Sequence, residues 1–163
     1  MMSTLTLQRR RVEVGRRIPV PAAVVLAVLE ADPSRVVASR LRARIGDGGR
    51  FAELEVGIPG GRQITRDVRL GFGSLLDDDG VAALPVWWED AEHPELFPTF
   101  DGGLEVHAVD GGTELRLVGS YQPPLGAVGR FADSLLGRRI VAGSLEAFLA
   151  SVADRLTAAA ADG

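Results

Sequence analysis

The chain of 163 residues contains no cysteine, no lysine, one tyrosine, two tryptophans and two histidines. Without cysteine there are no disulfides, no thiolate nucleophile and no cysteine-ligated metal. All eighteen basic residues are arginine, a skew that, with abundant Ala, Gly and Val, reads as coding bias rather than a functional signal. No apolar run approaches the ~20 residues that a membrane-spanning helix needs. The nucleophile-elbow pattern, the zinc-binding His-Glu-x-x-His pattern and the phosphate-binding glycine loop are missing as well. Gly71-Phe-Gly73 has too few glycines and no following helix to serve as the last of these.

Nearly half of the residues, 46%, are apolar, which is enough for a chain of this length to build one independent core. One domain is expected over residues 7–160, with short tails, 1–6 and 161–163, read as flexible. Charge is uneven. Residues 1–50 carry ten Arg against four acids, a balance of +6, and the remainder carries eight Arg against eighteen acids, a balance of −10. The basic front is spread over two strand-like segments with no interleaved aromatics, so a solvated face is favoured over a nucleic-acid or lipid surface. Arg16 and Arg17 precede the apolar run Ile18 to Leu29, which superficially resembles a secretory signal. The alternating Arg11-Val12-Glu13-Val14 before it, and Glu30 and Asp32 after it without a small-residue cleavage site, point instead to a strand and a helix. A cytoplasmic location is the default expectation.

Periodicity predicts the elements. A strand covers about Leu7 to Arg16, and Pro19-Val-Pro21 opens a helix through Glu30, proline suiting a first helical turn. Asp32-Pro33-Ser34 starts a second short helix. Six further strands follow: Arg40 to Ile45, Phe51 to Ile58, Gln63 to Phe72, Val81 to Glu89, Leu104 to Val109 and Thr113 to Tyr121. The acidic stretch Asp77-Asp-Asp-Gly80 reads as a loop. Pro123 and Pro124 then end the ladder, and Val128, Phe131, Leu135, Val141, Leu145, Phe148, Val152 and Leu156 form one stripe of a long final helix. Gly126, Gly129, Gly137 and Gly143 weaken its front half by roughly 0.8–1 kcal/mol each relative to Ala. They imply either close backbone packing or a mobile cover over a pocket.

A strand, two short helices, six strands and a long helix resemble the START-like, helix-grip (SRPBCC) superfamily, which includes plant Bet v 1-type allergens and bacterial polyketide cyclases. The resemblance spans about residues 8–158. It is strongest in Gly119-Ser-Tyr121-Gln-Pro-Pro124-Leu-Gly126-Ala-Val-Gly129-Arg-Phe-Ala-Asp133, with Val20-Pro21-Ala22 and Asp32-Pro33 in support. It implies an α+β helix-grip fold: a curved seven-stranded antiparallel sheet, two short helices and a long C-terminal helix around a cavity. Members differ in ligand and chemistry, so the resemblance speaks to architecture first.

Side chains alternate between the two faces of a strand, so parity nominates the cavity lining. The inward rows are Leu41, Ala43, Ile45; Ala52, Leu54, Val56, Ile58; Ile64, Val68, Leu70, Phe72; Leu104, Val106; and Leu115, Leu117, Tyr121. The strand with Trp87 and Trp88 is apolar on both parities and leaves open which indole points in. Arg66 is the charge on an inward row. It requires an acidic partner, an open rim or an anionic ligand, since an unpaired buried charge is too costly. Its roles are a ligand carboxylate or phenolate anchor, or a strand-end rim or bulge that reverses parity. Tyr121 either orients a ligand or packs beneath the helix entry. Phe72, Trp88, Phe97 and Phe100 either floor a pocket or are simply core, and Phe131 bounds the chamber from the helix.

The two histidines make no zinc site. His107 falls on the outer face. His93, near Glu92 and Glu95, reads as a solvated loop residue or an acid–base group at a cavity mouth. The expected function is binding of a hydrophobic or amphipathic small molecule between sheet and helix, at Arg66, Phe72, Trp88, Tyr121 and Phe131, with no cofactor or metal. The alternatives are a polyketide aromatase/cyclase-like enzyme using Arg66, Tyr121 or His93, and an interaction module that holds no ligand. No nucleic acid and no stable membrane insertion are expected.

Overall fold

In the computed structural model, residues 10–37, 42–43, 50–58, 62–92, 99–122 and 135–162 are described. Their side chains are described except at 42, 43, 50–58, 62–66, 78, 122 and 135–140. Strand β1 (Arg10–Ile18) leads into α1 (Ala22–Ala31) and α2 (Ser34–Val37). The strands β2 (Arg42–Ala43), β3 (Arg50–Ile58), β4 (Arg62–Phe72), β5 (Leu76–Asp78), β6 (Val81–Asp90), β7 (Thr99–Val109) and β8 (Gly112–Gln122) follow, and α3 (Leu135–Ala161) closes the chain.

All pairings are antiparallel, in the order β1-β8-β7-β6-β4-β3-β2, with β5 also on β6. The first strand therefore pairs with the last. The helices α1 and α2 carry the chain from the β1 edge to the β2 edge, and successive hairpins return it. The fold is the expected helix grip, with one more strand than the seven expected. The difference is β5, where the acidic stretch read as a loop pairs Asp78 with Val81 across the two-residue turn Asp79-Gly80. Both turn residues have positive φ, 50° and 83°, the conformation that matches the twist of a tight hairpin and that Gly tolerates. The Asp77 carboxylate accepts the Gly80 N–H at 3.1 Å and holds the turn.

The apolar run that mimics a secretory signal is split by local chemistry. Ile18 ends β1, and Pro21 sits at the N-terminus of α1, its carbonyl accepting the Val24 and Val25 N–H groups at 3.0 and 3.1 Å. The hydroxyl of buried Thr113 donates to the Val20 carbonyl at 2.6 Å and ties this corner to β8. The Asp32 carboxylate accepts the Ser34 N–H at 3.1 Å and the Ser34 hydroxyl, which turns the chain into α2. At the end of α2, Arg155 of α3 donates to the Val36 carbonyl at 2.9 Å. Burial lowers the pKa of this guanidinium, and nearby Asp154 offsets part of the effect.

The core lies between the concave face of the sheet and the helices. Val25 and Leu29 of α1, Val36 and Val37 of α2, and Val141, Leu145, Phe148, Leu149, Val152, Ala153 and Leu156 of α3 meet Val68, Leu70, Leu84, Val86, Leu104, Leu115 and Leu117. From Val141 onward the α3 stripe is the expected one, widened by Leu149 and Ala153; the side chain of Leu135 is not described. No described helix is long and apolar enough to cross a membrane. The expected turns at 46–49 and 59–61, the family-like segment 123–134 with Val128 and Phe131, and Leu41, Ile45, His93 and Phe97 lie outside the described residues.

Candidate functional site

Register builds an aromatic band across the concave face. Leu70 of β4 lies opposite Trp88 of β6, Trp88 opposite Phe100 of β7, and Phe100 opposite Tyr121 of β8. The Trp88 and Phe100 rings stack with centroids 4.5 Å apart, and Phe148 of α3 meets Trp88 at 4.9 Å with the planes tilted by 46°. Such contacts add about 0.5–1.5 kcal/mol each beyond burial. The band is possible because Gly102 and Gly119, themselves cross-strand partners, leave room for the end of the Phe100 ring; a Cβ on either would lie within 3 Å of it. Trp88, Phe100 and Tyr121 are all buried, so this part of the grip is filled.

The β6 ambiguity is thereby resolved. Trp88 points to the core, and Trp87, 46% exposed, lies on the outer face across its cross-strand partner Gly71. A Cβ on Gly71 would come within 2.0 Å of that indole, so the contact exists because residue 71 has no side chain.

A cavity of about 740 Å³ opens at the α1–α2 end of the sheet. Leu29, Glu30 and Pro33 bound it from the helices, and Arg69 to Leu75 and Trp87 bound it from the sheet. Its position follows from the ladder. The β3–β4 pairing stops at Arg50 opposite Leu70, so among the described residues no strand covers β4 on that side from Gly71 onward. Residues 73–75 then leave the ladder between β4 and β5, with the Gly73 N–H donating to the Pro85 carbonyl at 3.0 Å. The cavity wraps this open edge, which is why it touches inward residues (Leu70, Phe72) and outward ones (Gly71, Trp87) together.

The residues singled out from sequence divide accordingly. Phe72 is on the cavity wall, while Trp88 and Tyr121 lie in the packed band beside it. The backbone puts Arg66 opposite Leu54, on the same parity as Val68 and Leu70, and its side chain is outside the described set, as is Phe131. Sequence reading missed Asp90. It is 3% exposed, on the inward row Leu84, Val86, Trp88, Asp90, and its Oδ1 accepts the Glu92 N–H at 3.0 Å. It stands opposite Val68, two residues from Arg66 along β4, so the sheet brings an acid to the face where an inward Arg66 needs one. Counting in twos from Leu84 would have found it, had the strand not been apolar on both parities.

The outer face carries ordinary surface electrostatics. His107 Nε2 is 2.8 Å from Glu105, as expected for an outward histidine. Glu114 has its pKa lowered, chiefly by its hydrogen bond from Arg116 at 2.6 Å, and that arginine's pKa is raised in turn. Among the described residues no group of three or more His, Cys, Asp or Glu could hold a metal.

No protein-family model matches the chain, and no curated protein is significantly similar to it. Solved structures are. The Zhui aromatase/cyclase from Streptomyces sp. R1128 matches at a TM-score of 0.50 with 20% identity, over 94% of each chain. A point mutant of norcoclaurine synthase from Thalictrum flavum, in complex with a transition-state analogue, matches at 0.53 with 11% identity, over 94% of this chain and 98% of its own. A protein from Thermus thermophilus matches at 0.50 with 17% identity, over 92% of this chain and 99% of its own. At these identities the likeness is one of fold. The chain has the helix-grip fold.

Proposed function

We propose that the protein binds a hydrophobic or amphipathic small molecule in the cavity between the α1–α2 turn and the open edge of β4. The observation that carries this reading is the cavity itself. About 740 Å³ lies within the range of small-molecule sites, and its lining is amphipathic: Leu29, Pro33, Leu70, Phe72, Leu75 and Trp87 supply apolar surface beside Glu30, Arg69 and Ser74. Two proteins of similar fold are by their names an aromatase/cyclase and a synthase solved with a transition-state analogue, which supports a fold suited to holding small molecules. Phe72 contacts the ligand. Trp88 and Tyr121 keep the adjoining wall rigid, and Arg66 and Phe131 bound the space toward the front of α3. No nucleophile paired with a base lines the cavity among the described residues, so binding without chemistry is the reading adopted.

The test uses Trp87 as a built-in reporter. Titration with an environment-sensitive apolar dye should saturate at one site and change Trp87 emission, while Trp88, buried, responds little. Gly71→Ala should weaken binding, because its Cβ displaces the indole from the wall. Absence of saturable binding, together with native mass spectra showing the bare chain alone, would rule the reading out.

A further inference from the structure

The cavity lining carries charge of both signs, and the two are differently committed. Arg69 Nη1 lies 3.4 Å from Oε1 of Glu89, its cross-strand partner, so the cation among the described lining residues is already offset by an acid. Glu30, near the end of α1 and also on the lining, makes no hydrogen bond or ion pair with any described residue. The other polar-capable side chains among the described lining residues are Ser74 and the Trp87 indole, the latter nearly half exposed and held across Gly71. A carboxylate with no partner among the described residues and an open aromatic ring on one cavity are two elements that attract an organic cation, by charge and by the ring's quadrupole. An anionic head would meet Glu30, while the guanidinium of Arg69 is already paired with Glu89. The chain's net charge of −4 biases approach in the same direction.

We propose that the cavity prefers amphipathic molecules whose polar end is an ammonium group, with Glu30 and Trp87 receiving the head and Leu29, Leu70, Phe72 and Leu75 receiving the apolar body. This rests on the ligand-binding reading above and adds the sign of the ligand. It also reverses the anionic head that an inward Arg66 suggests. Three probes with one tail separate the two questions: octyltrimethylammonium, octanol and octanoate, titrated by calorimetry and by Trp87 emission at low salt. The ammonium should bind about threefold tighter than the alcohol, the scale of one exposed charge contact, and octanoate more weakly than either. Glu30→Gln, on the exposed side of α1, should abolish the ammonium's advantage and leave octanol unchanged. Equal or tighter binding of octanoate, or an ammonium preference that survives Glu30→Gln, overturns the assignment while leaving ligand binding intact. Failure of all three probes to bind overturns the ligand-binding reading itself.

Discussion

Trp87 and Trp88 are consecutive and chemically identical, yet the pleat sends one indole onto Gly71 at the surface and the other between Phe100 and Phe148. Truncating them should therefore have unlike effects. Trp88→Ala removes a buried ring whose space the sheet and α3 cannot refill, and should cost about 3–5 kcal/mol in chemical denaturation. Trp87→Ala takes away partly solvated surface and should cost less than about 1 kcal/mol, while removing the emission change on ligand binding. Equal destabilisation by the two would mean the side chains of β6 are assigned to the wrong faces. The sequence alone left this pair undecided because Val81 to Trp88 is apolar at both parities, and only the pairing with β4 and β7 chooses. Asp90 escaped notice for the same reason.

At the scale of one element, α3 shows how much spacing reveals. Val141, Leu145, Phe148, Val152 and Leu156 stand at helical intervals, and all are buried. Phe148→Asp would place an unpaired charge against Trp88, and a cost of several kcal/mol is expected. A denaturation midpoint moved by the equivalent of less than about 1 kcal/mol would contradict the packing. Gly143 on the same helix behaves differently. A Cβ there would meet nothing within 4 Å, so this glycine is not kept for close packing. Gly143→Ala should stabilise the protein by about 0.5–1 kcal/mol through the lower entropy of the unfolded chain and better helix propensity. Elements built on a strict period were legible; β5 was not, since three residues around a tight turn have too little period to read.

For the molecule as a whole, the described charges of β1 and β8 are arranged for solvation. The basic residues of β1 are interleaved with acids. Arg17 lies 3.4 Å from Glu114, and Arg116 of β8 reaches Glu114 at 2.6 Å and Glu13 at 4.0 Å. Arg11 and Arg16 are exposed beside them, with no aromatic residue on β1 for bases to stack on. A low-salt titration with single-stranded and double-stranded DNA or RNA should show no binding at micromolar concentration. Salt-dependent binding lost on replacing Arg11, Arg16 and Arg17 would refute this.

The element order could be read from the chain because it depends on neighbours within a few residues: alternation marks a strand, a three-to-four spacing marks a helix face, and proline and glycine mark the breaks; the helix-grip fold was what the family resemblance of that order implied. Phe72 and Tyr121 were found on the same basis, as inward positions of their strands, whereas the face of Trp88 stayed open until β6 was paired with its neighbours. The place of the cavity could not be read that way. It exists where the β3–β4 ladder stops at Leu70 and the turn after α1 comes near, which joins residues about forty apart in sequence through contacts that no local period encodes. Glu30 and Trp87 share that site for the same reason. Their meeting is a property of the assembled sheet and helices, decided by register and packing between distant segments rather than by either segment's own pattern.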